Sequence, residues 1–314
     1  MIPDINTINQ ASERIKKYIH RTPILTSSII NKIFDANIFF KCENFQKAGA
    51  FKSRGACNAL LSLNNQKLKK GVATHSSGNH AQALARAAHI KNIKAYIVMP
   101  DNSPKVKIDA VKNYKGIITF CSPNLKSRED TLKKIISETG ATEIHPYNNY
   151  KVIAGQATAA KEFYEDINNL DFIIAPIGGG GLVSGTALST VYFSPKTKII
   201  AAEPEQANDA YKSFYQGKLI PSVNPNTIAD GLLTSLGTLT YPIIKKYVDS
   251  IFTAKEKNII YAMRLIWERM KIIIEPSSAV PLACIMENRS FFEKKNIGII
   301  ISGGNVDLNN LPWN

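Results

Sequence analysis

Asp171-Phe172-Ile173-Ile174-Ala175-Pro176-Ile177-Gly178-Gly179-Gly180-Gly181-Leu182 is the stretch that decides the fold. The apolar run predicts a buried strand over 171–177, and a helical pattern follows over 182–193. A strand that feeds a helix through a tight loop is the repeating unit of a parallel α/β sheet. Four consecutive glycines bare successive backbone N–H groups with no Cβ in the way. At a helix N-terminus that makes a nest for an anion. The run is not GxGxxG with a later acid, and it lacks the GK[ST] ending of a P-loop. Neither a nicotinamide dinucleotide nor a nucleoside triphosphate is therefore expected there.

The same alternation extends along the whole chain. Strands are predicted over 38–40, 72–74, 95–98, 117–120, 198–202, 251–253 and 297–301, with helices over 51–63, 80–90 and 105–114. There is no Asn-Gly hairpin signal and no internal repeat. This gives an α/β fold class with two domains, each a largely parallel twisted sheet flanked by helices. Residues 67–147 hold a complete βαβα set and form the expected small inserted domain. Residues 1–66 and 148–314 form the large one.

Composition narrows the function classes. Of the 314 residues, 44% are hydrophobic, enough for two cores. The net charge of +14 is spread thinly, without the interleaved aromatics of a base-stacking surface, so no nucleic-acid partner is expected. No apolar run reaches the roughly 18 residues of a spanning helix, so no membrane partner is expected. The first residues hold no uninterrupted apolar run, so no signal peptide is expected. Cys42, Cys57, Cys121 and Cys284 are scattered, which argues against a zinc site or a disulfide framework and for a cytoplasmic location.

Phe45-Gln46-Lys47-Ala48-Gly49-Ala50-Phe51-Lys52-Ser53-Arg54-Gly55-Ala56 places a lysine after an aromatic residue, before a helix of small residues. Desolvation lowers a lysine's pKa and makes it an amine nucleophile. Ser76-Ser77-Gly78-Asn79-His80 opens the next helix. Its hydroxyls and N-terminal amides suit both capping and a substrate carboxylate. Ser302-Gly303-Gly304-Asn305 closes the last strand, where Ser302 is placed to face a ligand. An imine-forming lysine together with a phosphate cradle points to pyridoxal 5'-phosphate.

With these motifs the chain resembles the fold-type II pyridoxal phosphate family, in the group of serine racemase and the serine/threonine dehydratases. The resemblance runs from His20-Arg21-Thr22-Pro23 to Ser302-Gly303-Gly304-Asn305-Val306-Asp307. It implies that Lys52 holds the cofactor, that Phe51 packs near its ring and that Asn79 touches the ring hydroxyl. Gly178, Gly179, Gly180 and Gly181 would hold the phosphate, and Ser302 would meet the ring nitrogen. Ser76, Ser77, Asn79, His80, Arg128 and Ser235 would bind substrate. Ser77 would also be the acid/base group on the face opposite Lys52, where dedicated threonine dehydratases usually carry Ala. The implied reactions are β-elimination from L-serine or L-threonine and racemisation of serine.

The resemblance implies more. Glu203, Ala207 (through its carbonyl) and Asp209 match the family's divalent-cation site, for Mg²⁺, Mn²⁺ or Ca²⁺. Tyr147 stands where the mammalian racemase has a smaller polar residue, as in dehydratases and plant-like racemases, so the balance of activities stays open. Also open is threo-3-hydroxyaspartate dehydration, and, outside enzymes, a pyridoxal-phosphate-binding regulatory role. The expected partners are a small amino-acid substrate and a second copy in a homodimer. No C-terminal regulatory domain is expected.

Overall fold

The computed structural model describes residues 1–76, 78–103 and 105–313. Its strands are β1 (Ile24–Thr26), β2 (Asn37–Cys42), β3 (Val72–His75), β4 (Ala95–Pro100), β5 (Ile117–Cys121), β6 (Thr142–Glu143), β7 (Phe172–Pro176), β8 (Lys198–Pro204), β9 (Ser250–Ala254) and β10 (Asn296–Ile301). They form a six-stranded sheet in the order β1-β2-β10-β7-β8-β9 and a four-stranded sheet in the order β5-β4-β3-β6. All pairings between these strands are parallel except β1 with β2. β1 and β6 escape sequence reading because three residues and two residues are too short to show a period.

The period of two sets the layers of the large sheet. Phe172 and Ile174 of β7 point into one core with Ile297, Ile299 and Ile301, against helices Glu256–Met270 and Pro276–Glu287. Ile173 and Ala175 point the other way, into a core with Val183, Ala187 and Phe163 from helices Gly181–Phe193 and Tyr150–Asp166. Burial on both faces is what unbroken Ile-rich strands require. In the small sheet Val72, Ile97 and Met99 pack on Leu84 of helix Asn79–Ile90, while Ala73 and Val98 pack on Leu132 and Ile135. The first of these cores also takes Ala56, Cys57 and Leu60 of helix Lys52–Leu61, and Val152. Apolar packing is therefore continuous across both 66/67 and 147/148.

A buried ion cluster anchors helix Lys52–Leu61. Arg54 donates to Glu43 Oε2 at 2.7 Å and to Glu162 Oε1 and Oε2, each at 2.7 Å. Lys41 completes it, 2.7 Å from Glu162. Two cations and two anions balance, so each buried charge has a partner.

Candidate active site

The loops at the carboxyl ends of β2, β3, β7 and β10 converge on a cavity of about 170 Å³ between the two sheets. Lys52 enters it from the first turn of its helix, and its Nζ donates to the carbonyl of Pro146 at 3.0 Å. The same nitrogen lies 5.1 Å from the centre of the Phe51 ring. Burial pushes the Lys52 ammonium down to about 8, against the opposing pull of Glu275. The free amine is thus far more accessible near neutral pH than for an ordinary lysine.

Across the cavity lies the glycine loop. Gly180 adopts φ +86°, a left-handed conformation that side chains strain to reach. A Cβ on Gly179 would sit 2.4 Å from the Tyr147 ring. Among the described residues no acceptor takes the amides of Gly178, Gly179, Gly180 or Gly181. They remain free for an anion at the helix N-terminus. Ser302 is buried at the end of β10, its Oγ 3.0 Å from Ser278 Oγ. Ser278 Oγ also donates to the Gly303 carbonyl at 2.7 Å and accepts the Gly303 amide at 2.8 Å. Asn79 reaches the cavity from the small sheet, and its Nδ2 lies 2.9 and 3.0 Å from the two Glu275 oxygens.

Residues 15–303 match the model of the pyridoxal-phosphate dependent enzymes. The chain belongs to that family. It is 52% identical over 313 residues to β-hydroxyaspartate dehydratase of Paracoccus denitrificans (strain Pd 1222), covering 100% of this chain and 99% of that one. It is 50% identical over 312 residues to serine racemase of Dictyostelium discoideum, covering 98% and 96%. Maize serine racemase superposes with a TM-score of 0.96 at 44% identity, covering 98% and 95%.

The cavity suits the family's cofactor. Free loop amides match a phosphate, a lysine with a lowered pKa matches the aldehyde carbon, and a buried hydroxyl matches a ring nitrogen. Phe51, Lys52, Ser76, Asn79, His80, Arg128, the four glycines and Ser302 all line it. Ser77 lies outside the described residues.

Two of the expected substrate residues, Ser235 and His80, are placed as follows. Ser235 is not among the residues lining the cavity; its Oγ accepts from the Ser222 amide at 2.8 Å, and Thr234 lines the cavity instead. His80 lines the cavity; its Nε2 is engaged with the Ile144 carbonyl at 2.8 Å and its Nδ1 is buried with no partner among the described residues. Burial pushes it down to about 3, so the ring is neutral with a bare lone pair toward Nδ1. Such a ring gives a carboxylate no charge-assisted bond; only the His80 backbone amide suits that task.

The Glu203 carboxylate accepts the amides of Ala210 at 2.9 Å and Tyr211 at 2.7 Å. Asp209 is buried with both carboxylate oxygens unpartnered among the described residues. Burial raises both acids, Glu203 to about 9 and Asp209 to about 6. Orphaned oxygens beside a second carboxylate fit a hard cation.

Sequence reasoning missed several groups. Glu275 is buried at the base of the cavity. Lys107 from the small sheet's side pairs with Asp230 from the large one at its rim. His75 and His145 stand edge to face, ring centres 6.0 Å apart, and His145 stands 4.6 Å from Tyr147. Glu275-Pro276 reads as an ordinary helix start, and Lys107 and Asp230 are too far apart in sequence to be paired.

Proposed function

We propose that the chain is a pyridoxal-phosphate-dependent ammonia-lyase and racemase of small β-hydroxy amino acids, with serine and threonine as substrates. The observation that carries this reading is the buried Lys52 amine, its pKa lowered by burial, facing the free amides of Gly178–Gly181 across one cavity. When bound, the cofactor supplies an electron sink for the charge left on the substrate α-carbon. Lys52 takes the α-proton from one face. The Ser76 hydroxyl and the first amides of helix Asn79–Ile90 orient the substrate carboxylate. Loss of the β-hydroxyl as water, then hydrolysis, gives pyruvate or 2-oxobutanoate and ammonia. Proton return to the opposite face, which we assign to Ser77 on sequence alone, gives the D-isomer.

A second reading, 3-hydroxyaspartate dehydration, draws on Arg128. Its guanidinium lines the cavity beside His75, which burial and the Arg128 charge keep below the ordinary histidine range. That cation suits a second substrate carboxylate. A divalent cation on Glu203, Asp209 and the Ala207 carbonyl, a homodimer and a cytoplasmic setting belong to the same proposal. The support is the orphaned Asp209 oxygens, the family resemblance and four unpaired buried cysteines, respectively. The deciding experiment gives the loaded protein L-serine, L-threonine and the 3-hydroxyaspartate isomers, with chiral chromatography of the products. Pyruvate, 2-oxobutanoate and D-serine support the first reading. Oxaloacetate from hydroxyaspartate alone supports the second. No turnover of any of them contradicts both.

A further inference from the structure

Glu275 is a buried carboxylate at the wall of the cavity. It stands at the N-cap of helix Pro276–Glu287, yet its side chain makes no capping bond. It is 2% exposed, and its oxygens are met by neutral amides, Asn79 Nδ2 and the Asn305 backbone N–H. A buried charge held by neutral amides is expensive to keep. The near-equal distances of 2.9 and 3.0 Å set one N–H of Asn79 across both oxygens and leave its second N–H free. Asn79 is fixed from its other end too. Its Oδ1 accepts from Asn305 Nδ2 at 2.9 Å, and the same nitrogen donates to the Ala48 carbonyl at 2.8 Å. The charged groups that act on Glu275 are Asp230, which opposes its charge, and Lys107, which favours it. Lys107 and Asp230 also pair with one another, and the Glu275 charge in turn acts on Lys52.

We propose that Glu275 is a positioning residue: it aims the free N–H of Asn79 at the cofactor's ring oxygen and holds an anion beside the nitrogen through which Lys52 carries the cofactor. The proposal rests on the pyridoxal phosphate reading above. An anion there favours the protonated state of that nitrogen. Burial and the Asp230 charge raise Glu275 to about 7, so its anionic state is itself favoured by a cationic neighbour.

The test uses the full-length, cofactor-loaded protein and follows its visible absorption against pH in wild type, Glu275→Gln and Glu275→Asp. Glutamine keeps the shape and removes the charge. Its spectral midpoint should fall by about one pH unit or more, the scale on which one neighbouring charge moves a titration. Its melting temperature should hold or rise, because an ill-compensated buried charge is gone. The aspartate variant, with its carboxylate drawn back, should shift the same way but less. A midpoint unchanged in Glu275→Gln overturns the proposal. If that variant does not fold, an unchanged midpoint in Glu275→Asp does the same. A wild type with no visible band in excess pyridoxal phosphate overturns the cofactor reading itself, and the proposal with it.

Discussion

Lys52 Nζ donates to the carbonyl of Pro146, 3.0 Å away and 94 residues on. Lys52 starts a helix rooted by the ion cluster under the large sheet, while Pro146 ends the segment that carries the small sheet. One hydrogen bond thus joins the amine to the opposite wall of its cavity. Its partner is neutral, so the bond leaves the lysine free to lose its proton.

Arg54→Met should destabilise the fold by about 3–5 kcal/mol, because it strands Glu43 and Glu162 as buried, under-compensated acids. Urea unfolding of the cofactor-free protein measures this. A variant within experimental error of wild type would mean that the cluster is not energetically coupled.

Acid should unfold the protein early. Burial holds His80 down to about 3 and His145 down to about 4, both below the ordinary 6.5. As pH falls below 6.5 the unfolded chain takes up these protons before the folded one does. The stabilisation is complete above that value and is lost toward pH 3, at roughly 1.4 kcal/mol per pH unit per group. His145 Nδ1 accepts the amides of Tyr147 and Asn148, at 3.3 and 2.9 Å. Asparagine offers an acceptor in much the same place, so His145→Asn should fold and show a shallower acid slope in denaturant midpoints. An identical slope would count against the assignment.

A divalent cation should raise the melting temperature, since it binds only the folded arrangement of Glu203 and Asp209 and relieves their repulsion. Chelator should lower it, and Asp209→Asn should remove both responses. If wild type is indifferent to chelator and elemental analysis finds no cation, the site is wrong.

Gly179→Ala should weaken pyridoxal phosphate binding by about tenfold or more, the scale expected when a methyl forces aside a packed ring and the loop amides with it. The added carbon meets the Tyr147 ring at 2.4 Å. Equilibrium dialysis reads the change. Unaltered affinity would mean that Tyr147 moves freely and the loop does not set the phosphate position.

Most of the architecture was legible because its strands are buried runs of Ile, Val and Ala between helices. The run 171–177 and β10 show this best. The glycine loop and Lys52 were legible because their chemistry is local in sequence. Glu275 was not, since a glutamate before Pro276 looks like any helix start and its partner Asn79 is 196 residues away. At Ser235 the motif could not show that its neighbour Thr234 is the residue lining the cavity. At His80 it could not show the ring's tautomer, which depends on the Ile144 carbonyl.

The central claim is that Lys52 is the lysine that holds the cofactor. Borohydride reduction of the pyridoxal-phosphate-loaded protein, followed by peptide mapping, tests it directly. The account predicts a single stable pyridoxyl label on Lys52, and none on that peptide in Lys52→Ala, which should also lose nearly all turnover. A label on Lys47 or on Lys107 instead, or full activity in Lys52→Ala, would contradict it.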